Sequence, residues 1–388
     1  MYRNVRQAVV MVGGKGTRLR PLTYTRPKPI LPVVDKPCLG YLIDALVRGG
    51  IEEIYLACGY KSQQFVDTIG DGSDRGIKIL YSFEDEPMGT GGAIKLLEDK
   101  LDDVFVACNG DVFADLDLKK EIDVHLDNKA DITLALTPVD NPWEFGTACP
   151  DETGRIREFR EKPKPEDVIS NLINSGVYIV NKEMIGFIPK GQMYDFSKDL
   201  VPKKTAEGYR IWGWNFDGIW MDVGRLNDVI RANLTVASHS NRRYDAENTE
   251  QSGTVYIGKG AKVSGSKLKD CVIMAGAEIT DCEMERAVIM PGTKVRGSKI
   301  FNSVVGDRTT IISASITNSI IGDDDAIENK TIKDAGGEGD GDPEDSRGQP
   351  LLLSLSGRHR APHAHDQQAL REEGSRRHRT DIETAGHP

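Results

Sequence analysis

Two common phosphate-gripping signatures are missing from this chain: the Gly-Lys-Ser/Thr of a Walker loop and the GxGxxG of a dinucleotide fold. No apolar run approaches the ~18 residues that a membrane span requires, so no membrane partner is expected. The six cysteines (Cys38, Cys58, Cys108, Cys149, Cys271 and Cys282) form no CxxC and have no histidine at zinc-site spacing. That pattern speaks against a zinc site or a disulfide framework and fits reduced thiols in a cytoplasm. A net charge of −10 argues against a nucleic-acid binder, which would show a basic face. The chain runs into strand-like sequence by residue 6, so no secretory signal is expected. What is present is a globular composition, 38% apolar and 28% charged, over 388 residues, enough for two or three domains with a real core.

The most informative stretch is GGKGTRLRPLTYTRPKPILPVVDKP, residues 13–37, directly after the apolar run Ala8-Val9-Val10-Met11-Val12. The run has the composition and length of a buried parallel strand. Gly13, Gly14 and Gly16 allow a tight turn and let backbone N–H groups approach a phosphate with no Cβ in the way. Thr17 adds a hydroxyl, and Arg18 a planar fork that grips phosphate oxygens in pairs. Lys28 lies between Pro27 and Pro29, which hold its backbone extended. A strand, a glycine turn and two positioned cations describe a triphosphate site.

Up to about residue 235, strand-like segments (6–12, 53–58, 77–81, 103–108, 131–137, 173–180) alternate with helix-like ones (40–49, 61–69, 91–100, 182–188). Alternation predicts a parallel-rich sheet covered by helices, with ligands at the carboxyl ends of strands. The glycine loop and Asn109-Gly110-Asp111 both follow strand ends, so they can share one crevice.

Residues 253–331 instead repeat with a period of 16. Ile257, Ile273, Ile289, Val305 and Ile321 form one column. Val263, Ile279, Val295, Ile311 and Ile327 form a second, and Leu268, Met284, Ile300 and Ile316 a third. Such a period marks a solenoid, and β-branched columns with Gly and Asn at corners predict a parallel β-helix of five coils. Residues 334–388 contain no Phe, Tyr, Trp or Lys, but seven Arg and five of the seven His. This segment is expected to be disordered.

GGxGTRLxPLT followed by KPxLPV resembles the sugar-1-phosphate nucleotidyltransferases. The 16-residue repeat resembles the left-handed hexapeptide-type β-helix often attached to them, although each coil is shorter than three hexapeptides. The resemblance covers about residues 1–330. It implies an α/β fold: a Rossmann-like nucleotidyltransferase domain with a mixed, mostly parallel sheet over 1–240, then a left-handed parallel β-helix over 253–331. It also implies the reaction of an NTP with a sugar 1-phosphate to give an NDP-sugar and pyrophosphate. Arg18, Lys28 and Lys162 are then the catalytic cations, and Asp111 and Asp222 the ligands of Mg²⁺. Gly13, Gly14, Gly16, Thr17, Glu84, Gly89 and Thr90 bind the nucleotide. Gly146, Glu161 and Asn174 line the sugar pocket, with Glu161-Lys162-Pro163 as the family's EKP. Phe145-Gly146-Thr147 departs from the usual Tyr-Gly-Val and lacks a phenol hydroxyl there.

The segment Glu84 to Ala93, with Glu-Pro-Met-Gly-Thr-Gly-Gly, is similar to that of mannose-1-phosphate guanylyltransferases and heptose-phosphate guanylyltransferases. It lacks the pattern of glucose-1-phosphate thymidylyltransferases. GTP and mannose 1-phosphate are therefore the expected partners, with thymidylyl or uridylyl transfer to glucose 1-phosphate, guanylyl transfer to a heptose phosphate, and an inactive regulatory subunit as alternatives. Residues 253–331 contain no histidine, which argues against an acetyltransferase site in the coils. The β-helix is expected to be an oligomerisation or regulatory module, one that holds a homo-oligomer together.

Overall fold

The computed structural model describes residues 5–59, 62–84, 86–240 and 246–337. In chain order its first part comprises β1 (Gln7–Met11), α1 (Cys38–Arg48), β2 (Glu53–Cys58), α2 (Ser62–Ile69), β3 (Lys78–Phe83), α3 (Gly89–Lys95), β4 (Val104–Asn109) and β5 (Val112–Asp115). It continues with α4 (Leu118–Asp127), β6 (Ile132–Pro138), β7 (Gly146–Pro150), β8 (Ile156–Glu161), β9 (Leu172–Asn181), α5 (Val201–Ala206), β10 (Ile211–Asn215), β11 (Ile219–Asp222) and α6 (Leu226–Ser238). The sheet has nine strands in the order β8-β7-β9-β4-β1-β2-β3, with β6 pairing both β9 and β10. Strands β4, β1, β2 and β3 are mutually parallel, and β9 enters antiparallel to β4. The sheet is thus mixed and mostly parallel, as the alternation predicts.

Period-2 alternation splits each central strand between two cores. Val9 and Met11 of β1 join Tyr55, Phe105 and Ala107 on one face. Ala8, Val10 and Val12 join Leu56, Val106 and Cys108 on the other. Helix α1 covers this second face with Leu39, Leu42, Ile43 and Leu46, the i, i+3, i+4, i+7 stripe of an amphipathic helix. Segment 182–188 was expected to be helical but is a 3-10 turn, Lys182–Phe187, and the helix expected over 91–100 ends at Lys95. All six cysteines are unpaired. No helix among the described residues is long and apolar enough to cross a membrane.

One buried group in α4 opposes folding. Glu121 is fully buried, and neither carboxyl oxygen has a hydrogen-bond partner. Burial pushes its carboxyl well above the ordinary value of 4.5. An unfolded chain releases that proton near 4.5 and the folded one does not, so stability falls as pH rises above that value. Glu121→Met is therefore expected to raise the unfolding free energy by about 1–3 kcal/mol at pH 7 and by less at pH 4. Urea unfolding at the two pH values checks this, and an equal gain at both would refute the ionisation argument.

From Glu250 onward the chain winds into a parallel β-helix. Glu250–Ile257, Lys267–Ile273, Glu283–Ile289 and Lys299–Val305 stack in parallel, followed by Ser315–Thr317 with Ile320–Ile321, and by Thr331–Lys333. A second stack runs Lys262–Ser264, Glu278–Thr280, Lys294–Arg296, Thr310–Ile312 and Ala326–Glu328. The registers place Ile257, Ile273, Ile289, Val305 and Ile321 directly over one another, and likewise the other two columns. Each column residue is buried, worth roughly 1.5–3 kcal/mol relative to exposure.

Corners recur at the same spacing with left-handed backbone, for example Asp270, Arg286, Asn302 and Asn318. Gly276 and Gly292 occupy another such corner. Gly306 is needed for a different reason, since a Cβ there would lie 2.5 Å from the carbonyl carbon of Gly322. The expected disordered tail lies outside the described residues from 338 onward. Its first residues are placed: the Ala335 carbonyl accepts from Ile320, and Gly337 N–H donates to the Arg20 carbonyl at 2.9 Å.

The outer face of the first stack is not solvent-facing. Val272, Val288, Val304 and Ile320 share one core with Val229 and Ile230 of α6 and with Leu19, Leu22, Leu31 and Val33 of the segment after β1. The β-helix thus packs against the segment that carries Arg18 and Lys28.

Candidate active site

The parallel pairing of β1 with β4 sets the glycine loop beside Asn109-Gly110-Asp111. Gly110 donates to the Met11 carbonyl at 2.8 Å, and a Cβ on it would lie 2.5 Å from Val12 Cγ1. Only glycine permits that approach. Asp222 arrives by another route: β11 pairs antiparallel with β5, matching Asp222 to Val112 and so setting its carboxylate beside Asp111.

Lys28 joins the two. Its Nζ lies 2.9 Å from Asp111 Oδ2 and 2.8 Å from Asp222 Oδ1, although the residues are far apart in sequence. Burial alone would lower the lysine pKa, but the two carboxylates outweigh it and hold the pKa well above its ordinary value. The lysine side chain is 12% exposed, Asp222 31% and Asp111 43%, so the acids open outward over a buried cation. Gly16 makes room for it: a Cβ there would lie 3.1 Å from Lys28 Cβ and 3.0 Å from Thr23 Cγ2.

Two cavities meet at this junction. The larger, about 610 Å³, is lined by Arg18, Thr90, Asp111, Gly146, Glu161, Lys162, Asn174 and Asp222, among others. The smaller, about 320 Å³, is lined by Gly13, Gly14, Glu84, Gly89, Thr90 and Asp111, with Asn109, Met193 and Asp195. Thr90, Asn109, Asp111 and Asp195 belong to both. Of the residues singled out from sequence, Thr17 is exposed and lines neither cavity, and Gly16 and Lys28 stand behind the wall. Glu84 accepts from Met88 N–H at 3.3 Å, and burial raises its carboxyl pKa.

The far wall of the larger cavity comes from the β7–β8 hairpin and from β9. Gly146 pairs with Glu161, and a Cβ on Gly146 would lie 2.5 Å from Glu161 Oε2 and 2.6 Å from Phe159 Cζ. Glu161 Oε2 is buried without a hydrogen-bond partner. Burial first, and then the charge of Asp195, raise the Glu161 pKa. Lys162 next to it has φ 43, a left-handed conformation that strains a lysine, and its N–H donates to the Phe145 carbonyl at 3.1 Å. In β9 the register slips between Asn174 and Tyr178. Asn174 donates to Tyr178 Oη at 2.7 Å and accepts from Gly176 N–H at 3.0 Å.

Several wall residues carry no sequence signal of a site. Asp195 accepts from Thr90 Oγ1 at 3.0 Å and caps Ser197 and Lys198, so locally it reads only as a helix N-cap. Trp220 donates to the Ser175 carbonyl at 2.9 Å and meets Phe145 edge-on at 5.2 Å, filling the space beside the missing phenol. Glu144 pairs with Arg225 at 2.8 Å.

Among the described residues no group of three or more His, Cys, Asp or Glu forms a metal cage. The Asp111–Asp222 pair nonetheless fits Mg²⁺, which takes one or two carboxylates and keeps waters and substrate phosphates as its other ligands. A cation, the Lys28 ammonium, already lies between these oxygens.

A mixed α/β sheet that gathers glycine turns, paired carboxylates and cations at one edge has the architecture of nucleotidyl-transferring proteins. The chain belongs to the nucleotidyl transferase family, which matches residues 7–239, and within it to the sugar-1-phosphate nucleotidyltransferases. It is similar to the mannose-1-phosphate guanylyltransferase of Mycobacterium tuberculosis, 36% identical over 285 residues that cover 69% of this chain and 79% of that protein. It is also similar to the UTP–glucose-1-phosphate uridylyltransferase of Synechocystis, 32% identical over 266 residues, 65% of this chain and 69% of that protein. Among solved structures, HddC from Yersinia pseudotuberculosis complexed with GMP-PN aligns with TM-score 0.52 and 29% identity, covering 60% of this chain and 99% of that one.

Proposed function

We propose that this chain makes GDP-mannose and pyrophosphate from GTP and mannose 1-phosphate. The observation that carries the reaction is the Asp111–Lys28–Asp222 junction, set where two cavities share a wall. The smaller cavity, with Gly13, Gly14, Glu84, Gly89 and Thr90, takes the nucleotide. The larger takes the sugar 1-phosphate and, along its Arg18 wall, the β- and γ-phosphates of the nucleotide.

An oxygen of the sugar phosphate attacks the α-phosphorus. The bond from that phosphorus to the bridging oxygen breaks, and pyrophosphate leaves with the electron pair. The protein's work is positioning and charge neutralisation. Arg18 grips the β- and γ-phosphates, Lys28 neutralises the α-phosphate, and Lys162 holds the attacking phosphate. The partnerless Glu161 Oε2 accepts from a sugar hydroxyl beside Gly146 and Asn174. Bound between Asp111 and Asp222, Mg²⁺ would supply charge stabilisation on the phosphate oxygens.

Guanine preference rests on the similarity to the mycobacterial guanylyltransferase and on the Glu84–Ala93 segment. Uridylyl transfer to glucose 1-phosphate is the second reading, favoured by the similarity to the Synechocystis enzyme. Pyrophosphate release is the test, with five NTPs crossed against mannose, glucose, N-acetylglucosamine and heptose 1-phosphates, with and without chelator. GTP with mannose 1-phosphate is expected to lead by about tenfold or more, and chelator to stop release. A UTP or dTTP rate about ten times the GTP rate would reject the guanine preference. No release with any pair would reject the reaction.

A further inference from the structure

The segment between Arg18 and Lys28 is gripped by the last coils of the β-helix. Arg26 Nη2 lies 2.6 Å from Asp323 Oδ2 and 2.8 Å from Asp307 Oδ2. Thr25 Oγ1 donates to the same Asp323 oxygen at 2.6 Å. The other Asp323 oxygen accepts from Asp307 N–H at 2.8 Å, which locks the two coils to each other. The Asp323 side chain is wholly buried and that of Arg26 only 17% exposed, so the ion pair between them is shielded from water. One coil further on, Gly337 N–H donates to the Arg20 carbonyl.

The grip is transmitted. Arg26 and Pro27 are both extended, and the ring of Pro27 fixes its own φ, so a single stiff residue separates Arg26 from Lys28. At the other end of the segment, Leu19 and Leu22 are packed under Val304 and Ile320 of the coils. A loop that must hold one ammonium between two carboxylates is therefore built on the β-helix and not on the sheet alone.

We propose that Arg26 is a positioning residue for Lys28, and that Asp307 and Asp323 make the β-helix part of the active-site scaffold in addition to any role in assembly. This rests on the assignment of Lys28 to the reacting phosphate. Loss of the Arg26 contacts lets Lys28 leave the Asp111–Asp222 bridge, lowering the turnover number without removing any group that binds substrate.

The test compares Arg26→Gln, Arg26→Lys, Asp323→Asn and the double variant Arg26→Gln/Asp323→Asn in the full chain. The double variant removes one charge of each sign, so it guards against a single variant that fails to fold. Two quantities are read. One is kcat against the two KM values. The other is the rate at which Lys28 is methylated by formaldehyde and borohydride, mapped by mass spectrometry without any substrate. The expected result is a kcat lowered about tenfold with KM values within about twofold, and Lys28 methylated about tenfold faster. Arg26→Lys recovers part of both, and the double variant behaves like either single one. Unchanged Lys28 methylation in the folded variants overturns the proposal whatever happens to turnover. So does faster methylation with kcat unchanged. If the unsubstituted protein shows no turnover with any sugar phosphate, the functional reading fails. Methylation then decides by itself whether the coils hold Lys28.

Discussion

Lys28→Met is expected to lower turnover by about 10²–10³-fold and, in the same protein, to tighten binding of Mg²⁺ in the absence of nucleotide. The two effects have one cause. The Lys28 ammonium is within 2.9 Å of both carboxylates and offsets one of their two negative charges. Methionine keeps the stem and removes the charge, so Asp111 and Asp222 repel each other and take up a divalent cation more readily. Turnover is still expected to fall, because the cation assigned to the α-phosphate in the proposed reaction has gone.

Asp222→Asn separates the roles. It should cost a similar factor in turnover but weaken Mg²⁺ binding, by calorimetric titration, because one anionic oxygen donor is lost. The pH profile gives a further check. The folded lysine has its pKa raised above the ordinary 10.5. Its stabilising contribution is therefore complete below 10.5 and is lost only as pH rises through the still higher folded value. Neither stability nor rate between pH 6 and 9 should change through Lys28. Unchanged turnover in Lys28→Met, or weaker Mg²⁺ binding, would remove this lysine from the reaction.

That junction also marks the boundary of what can be read from sequence. The glycine turn after β1 and Asp111 after β4 are legible because each is a short motif at the end of an apolar run. The 16-residue columns are legible because stacking repeats them, and their registers are those observed. Asp222 is legible as a motif but not as the neighbour of Asp111, because that depends on β11 pairing with β5 across a hundred residues. The ion bridge through Lys28 is invisible for the same reason. Asp195 is hidden differently: its local hydrogen bonds make it an ordinary helix cap, and only folding brings Thr90 to it. Arg26 looks like one more surface cation in a proline-rich segment until Asp307 and Asp323 arrive from the far end of the chain. The β-helix is expected from sequence to serve assembly or regulation. Its packing against Leu19 and Leu22 gives it a second connection, directly to the segment that carries Arg18 and Lys28.

The sugar side of the site is tested by its most constrained glycine. Gly146→Ala is expected to raise the KM for sugar 1-phosphate by about tenfold or more, with the KM for NTP within about twofold. The new methyl group would lie 2.6 Å from the ring of Phe159 and 2.5 Å from Glu161 Oε2. Phe159 is buried in the core beneath the hairpin and cannot recede without opening a cavity. The Glu161 carboxylate is the freer of the two, so it swings away, and the oxygen without a protein partner no longer meets the sugar hydroxyl. Glu161→Gln makes the contrast, because it keeps the shape and removes the charge.

Burial raises the Glu161 pKa, so the free enzyme ionises this group only above the ordinary 4.5. A sugar hydroxyl that donates to the ionised form lowers that pKa on binding. The KM for sugar 1-phosphate should therefore fall as pH rises through the raised value in the unsubstituted enzyme. In Glu161→Gln that slope disappears, and in Gly146→Ala it flattens, because the displaced carboxylate is solvated and ionises earlier. Steady-state kinetics over pH 4.5–8 with each substrate varied in turn measures all three proteins. If Gly146→Ala raised the two KM values equally, the hairpin would be a common wall of the cleft and Glu161 would have no particular claim on the sugar.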